Sequence, residues 1–180
     1  MRNVYRLLMG TRYVFECYDR YGRLKWREEA HNLVTTEGLN DLLTKYFKGS
    51  DYTAAWYVGL VDNTGYTAFA ATDTAAKITD TANPPTTNGW QESDDYDEAT
   101  REVLTLGDVA GGSVGNSASP ASFTISATKT LKGGFLSSSS AKNATTGVLY
   151  GVVAFTSGNT RSVEDGDTLN VTATLTAASA

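Results

Sequence analysis

Six carboxylates fall between positions 92 and 102, at Glu92, Asp94, Asp95, Asp97, Glu98 and Glu102, interleaved with the rings of Trp90 and Tyr96. Oxygen ligands this dense suit calcium, and a pair such as Asp95 and Asp97 is the kind a glycosidase uses for acid and base work. The spacing lacks the regular alternation, the central glycine and the closing glutamate of an EF-hand loop. Any acidic loop supplies carboxylate pairs, so the cluster reads as a solvated loop or a partner contact. The only histidine, His31, has no second histidine or cysteine to join it at a metal, and Cys17 lies among alternating apolar neighbours as a small filler. The glycines from Gly107 to Gly115 have neither the lysine nor the strand-to-helix setting of a phosphate loop and read as a turn. No catalytic residue, metal or cofactor is expected, and the chain reads as a binding or building module that is not an enzyme.

One cysteine excludes an internal disulfide and a cysteine-built zinc site. No stretch approaches the roughly 20 apolar residues of a membrane span. The start, Met1 to Gly10, has too short an apolar run for a secretory signal, so the sequons at Asn143 and Asn170 read as chance matches and the expected compartment is a cytoplasm. The net charge of −5 is unevenly spread: residues 1–48 hold nine Lys/Arg against six Asp/Glu, and the remainder six against fourteen. Arg12, Arg20, Arg23, Lys25 and Arg27 alternate with Glu16, Asp19, Glu28 and Glu29 and form no basic stripe, which argues against nucleic acid as a partner.

The elements that would carry these residues follow from periodicity. In Thr168 to Leu175 every second residue is apolar, which places Leu169, Val171, Ala173 and Leu175 on one face of a strand. Further strands are expected at Glu102–Leu106, Ser122–Thr128, Leu131–Ser137 and Val148–Phe155, with a buried one at 55–61. Tyr13–Tyr18 and Arg23–Glu28 flank Asp19-Arg20-Tyr21-Gly22, a hairpin signal. Leu39, Leu42, Leu43, Tyr46 and Phe47 recur at spacings of three and four behind a threonine pair and ahead of Gly49, predicting one short amphipathic helix over about 36–48. The fold class is therefore mainly β, a β-sandwich or jelly-roll-like domain over 31–180 with an N-terminal hairpin arm at 1–30. A long surface loop is expected at about 62–100, with one helical turn near Asp73 to Ile78 and a break at Asn83-Pro84-Pro85.

The segment Asn32-Leu33-Val34-Thr35-Thr36-Glu37-Gly38-Leu39-Asn40, with its following helix and the strand Trp56-Tyr57-Val58-Gly59-Leu60, resembles the opening of small virion proteins of tailed bacteriophages. Leu131 to Leu136, Thr146 to Tyr150 and Ser162 to Val171 are similar to the strand and turn phrases of the same group. Within it the chain looks most like a head decoration, or cement, protein. That resemblance implies a module on the outside of the capsid, assembled in the host cytoplasm. It also implies the major capsid protein as partner, a homo-oligomer (dimer or trimer), and no catalytic, nucleic-acid or membrane role. A tail or fibre-associated protein that binds a host surface or carbohydrate is the alternative, with Tyr52, Tyr66, Trp90 and Tyr96 as rings that could stack on sugars. The residues expected to meet a partner are Arg12, Arg20, Arg23, Lys25, Trp26 and Arg27 on the arm, and Trp90, Glu92, Asp94, Asp95, Tyr96 and Asp97 in the acidic loop.

Overall fold

The computed structural model describes residues 7–49, 55–79 and 90–179. The expected break at Asn83-Pro84-Pro85, the ring of Tyr52 and the first six residues of the arm lie outside them. The chain is mainly β, a sandwich of two sheets with one α-helix among the described residues.

Strand β1 (Leu7–Tyr18) turns through Asp19 into β2 (Leu24–His31). The Asp19 carboxylate accepts from the backbone N–H groups of Tyr21 and Arg23 at 2.9 and 3.0 Å, and Gly22 takes a φ of 76°, the left-handed conformation that glycine tolerates at least cost. The hairpin is present, but it is not a separate arm. β1 pairs residue for residue with β13 (Thr168–Ser179), from Leu7 opposite Ser179 to Tyr18 opposite Thr168. The physical reason is the alternation of Tyr13, Phe15 and Cys17, which matches that of Leu169, Val171 and Ala173, and all six side chains are fully buried. β8 (Ser113–Gly115) and β9 (Ala121–Thr124) also pair with β13, completing a five-stranded antiparallel sheet.

The second sheet is built on β10 (Lys129–Ser137), which pairs with β4 (Tyr57–Asp62), β11 (Leu149–Ala154) and β12 (Arg161–Val163). β3 (Leu33–Val34) extends it beside β11, while β6 (Trp90–Ser93) and β7 (Glu102–Val103) both pair with β4. β5 (Ile78–Thr79) runs parallel to β6, whereas the other strand pairings among the described residues are antiparallel.

This second sheet is buried on both faces, which explains why β4 and β11 read as continuous apolar runs. Val58, Leu60, Leu136 and Val153 join Phe15, Phe123 and Val171 in the main core between the sheets. Their neighbours Val61, Phe135 and Val152 point the other way, into a second core with Ala75, Ile78 and Trp90. The stretch expected as a surface loop from 62 is thus in part the lid of that second core. A file of rings, Tyr66, Phe69, Trp90 and Phe135, packs there edge-on or tilted with successive centroids 5.0 to 5.4 Å apart, and the predicted helical turn appears at Ala75–Lys77. Gly59 on β4 lies under the Phe135 ring, so a Cβ at that position would collide with it.

Candidate interaction surface

Helix α1 (Thr36–Phe47) forms where the periodicity places it. Thr35 caps it, its Oγ1 accepting from Gly38 N at 3.1 Å, and Gly49 follows with a φ of 68°. What holds it to the body is its polar side. Glu37 Oε2 accepts from Ala75 N at 3.0 Å and from Leu149 N at 2.7 Å, and Gly38 sits so close to the carbonyl of Tyr150 that a Cβ would not fit. Consequently the apolar stripe faces away from the core. Leu39 is 39 % exposed, Leu43 52 %, Phe47 72 % and Tyr46 79 %, whereas Gly38 is the one buried residue of the helix.

Beside this stripe runs an open apolar groove of about 460 Å³, lined from the helix by Gly38, Leu42 and Tyr46 and from the two sheets by Met9, Tyr150 and Leu175. Trp56 and the exposed Val109 also border it. An amphipathic helix ordinarily buries such a stripe, and a contiguous apolar surface left in water marks an interaction site.

The expected partner-binding residues of the hairpin occupy other places. Arg12 is engaged with Glu29, and Arg27 lies 3.4 Å from Glu16 and 3.8 Å from Glu29. Arg23 pairs with Asp19 at 2.7 Å and lies over the Tyr21 ring. Lys25 reaches the buried Asp167 at 2.7 Å. Trp26 donates from Nε1 to Ser162 O at 2.8 Å and packs edge-on against Phe155. Arg20, exposed like Arg12, Arg23 and Arg27, borders a shallow polar hollow with Tyr18 and Asn170. Most of these charges therefore bind the hairpin to itself and to the β12–β13 connection; the Arg12 guanidinium holds the Glu29 carboxyl below the usual range, and the Arg23 backbone N–H, helped by its guanidinium, does the same for Asp19.

The acidic segment departs further from expectation. Trp90 is fully buried, its Nε1 donating to Asp73 Oδ2 at 3.1 Å. Glu92 is fully buried too, taking two bonds from Arg101 at 2.8 and 2.6 Å and one from Asn143 N at 2.6 Å. Burial pushes the Glu92 carboxyl up, and Arg101 opposes it. Arg101 also donates to Ser139 O at 3.0 Å, and its guanidinium lies 4.9 Å from the centroid of Phe135. Asp94 accepts from the Asn143 amide at 2.8 Å, and Asp95 meets Lys129 at 3.0 Å. Tyr96 is buried edge-on to Phe123 with the Lys142 ammonium over its face, 3.7 Å from the centroid. Asp97 is exposed. Trp90, Glu92 and Tyr96 are thus internal and do not present themselves to a partner, because each spends its polar groups or its ring area inside the fold.

Among the described residues no three His, Cys, Asp or Glu side chains gather as a metal site, and no helix is long and apolar enough to cross a membrane. His31 is exposed near the end of β2, and Cys17 is buried 3.5 Å from Asp167, its thiol pushed up to about 12 by burial and then by that carboxylate. Sequence reading placed α1 but not its orientation. The signal that was present is Glu37 and Gly38 at the first turn, a carboxylate and a bare backbone suited to facing other chain segments. No protein-family model matches this chain, and none of the curated proteins is similar to it.

Proposed function

We propose that this protein is a non-enzymatic structural component of a tailed-bacteriophage virion, bound to the outside of the capsid and bridging neighbouring major capsid subunits. The observation that carries the reading is the outward-turned stripe of α1 with the apolar groove beside it. A face of Leu39, Leu43, Tyr46 and Phe47 is the surface of a protein that works by joining other chains. The phage-like phrases at 32–40, 131–136 and 162–171 supply the virion context. Bridging needs two contact regions, and the turn at Arg20 and Tyr21, exposed at the far end of the hairpin, offers a second, polar one.

The energetics of such a bridge are those of linkage. Capsid subunits in an expanded shell meet over shallow contacts, and a protein that binds the mature arrangement alone stabilises it by RT ln(1 + [L]/Kd). A rigid two-sheet frame suits the task, because little conformational freedom remains to be lost on binding.

Co-sedimentation of the purified chain with phage heads stripped of it, beside stripped tails, tests the reading. Saturable binding to expanded heads and not to procapsids is expected. Binding to tails alone would move the protein to the tail. The sugar-stacking alternative loses two of its rings, since Trp90 and Tyr96 are buried.

A further inference from the structure

We infer that the groove beside α1 is a ligand site for a single-chain amphiphile with one anionic end, of the fatty-acid class. This goes beyond the virion reading and does not rest on it.

The helix presents two faces. Leu39, Leu43 and Phe47 stand on the open stripe, whereas Gly38, Leu42 and Lys45, spaced four and three apart, turn toward the groove, with Tyr46 at the border between the two. The groove face is opposed by side chains of both sheets, Met9 and Leu175 from one and Tyr150 from the other. A recess of about 460 Å³ walled in this way, apolar with a few polar groups at its edge, has the size and character of a small-molecule site.

Charge selects the ligand. Two charged side chains border the groove, Asp41 and Lys45. Asp41 already has an interaction of its own, whereas the ammonium of Lys45, a half-buried residue, enters no ion pair or hydrogen bond among the described residues. A lysine in this setting lays its stem along apolar surface and keeps its charge at the water edge. An apolar chain lying in the groove with a carboxylate at Lys45 satisfies both parts at once, since the chain takes the apolar lining out of water and the carboxylate supplies the missing counter-ion. A cationic head would set like against like. From Gly38 to Lys45 the helix rises about 10 Å, which suits a chain of medium length.

Isothermal titration of the full chain with monomeric decanoate, beside decanol and decyltrimethylammonium and without any phage particle, tests this directly. One decanoate per chain is expected, with decanol weaker and decyltrimethylammonium weaker still. Lys45→Met, which keeps the stem and removes the charge, should weaken decanoate about tenfold and leave decanol unchanged, and Lys45→Arg should keep decanoate binding. Leu42→Trp, which fills the groove from the helix, should abolish both, and a thermal melt without ligand shows whether each variant is folded. No saturable decanoate binding, equal binding of the anionic and cationic amphiphiles, or a Lys45→Met chain that holds decanoate as tightly as the parent would each overturn the inference. Uptake by phosphatidylglycerol vesicles with no response to monomeric decanoate would overturn it in favour of a membrane surface. Because no capsid enters the experiment, a chain that coats heads and ignores decanoate would overturn the ligand site alone, and one that binds decanoate and coats nothing would overturn the decoration reading alone.

Discussion

β13 and α1 are both regular in their apolar spacing, and the fold treats them oppositely. Leu169, Val171 and Ala173 are fully buried, while Leu43, Tyr46 and Phe47 stand more than half exposed. The difference lies in what fastens each element. β13 is bonded along its length to β1 and in part to β8 and β9, which fixes its apolar side over the opposite sheet. The helix is fastened by Thr35, Glu37 and Gly38, none of which lies on its apolar stripe. Periodicity identifies the apolar side of an element, and the anchoring residues decide whether that side faces the interior or another molecule.

The sharpest way to separate interior from exterior is to break the buried ion pair. Arg101→Ala leaves Glu92 without its counter-ion in a fully buried site, and a loss of about 3–5 kcal/mol is expected, read from the midpoint and slope of urea unfolding. A loss below about 1 kcal/mol would mean that water reaches Glu92. Next comes the direct contrast between the two elements. Leu169→Ala should cost about 2–5 kcal/mol, whereas Leu43→Ala should stay within about 0.5 kcal/mol. Equal costs would erase the distinction drawn here.

The remaining contrast is a pH dependence confined to the core. Burial raises the Tyr13 and Tyr96 hydroxyls above the ordinary 10.0 and the Cys17 thiol from 9.0 to about 12. Between the ordinary and the raised values the native chain keeps protons that the unfolded chain releases. These groups therefore contribute stability that is intact below about pH 9 and declines as pH climbs beyond it. Melting temperatures recorded from pH 7 to 11 should be level at first and then fall, and Cys17→Ala should soften the start of that fall. A flat profile to pH 11 would show that these groups ionise in place.

Much of this was legible beforehand. The hairpin turn, the limits of α1 and the strand at 131–137 each follow from local signals that no distant contact overrides. The second core was not, because its members sit where a strand buried on both faces shows no alternation, and Tyr66 to Ile78 reads as loop until the uncovered back of β10 is known. The acidic segment misled for a related reason. A carboxylate is exposed by default, and Glu92 looks like its neighbours until Arg101 is placed against it. One clue existed: Arg101 is the only lysine or arginine between Lys77 and Lys129, a lone cation within an acidic stretch.

The pairing of Leu7 with Ser179 has a mechanical consequence. A load applied between these two positions would open the β1–β13 ladder from its end, one pair at a time, and would meet little resistance. The same load applied between Ser179 and the turn at Arg20 would run along the strands and strain many ladder bonds at once. A sheet paired this way resists force that arrives through its hairpin tip and yields to force that parts Leu7 from Ser179.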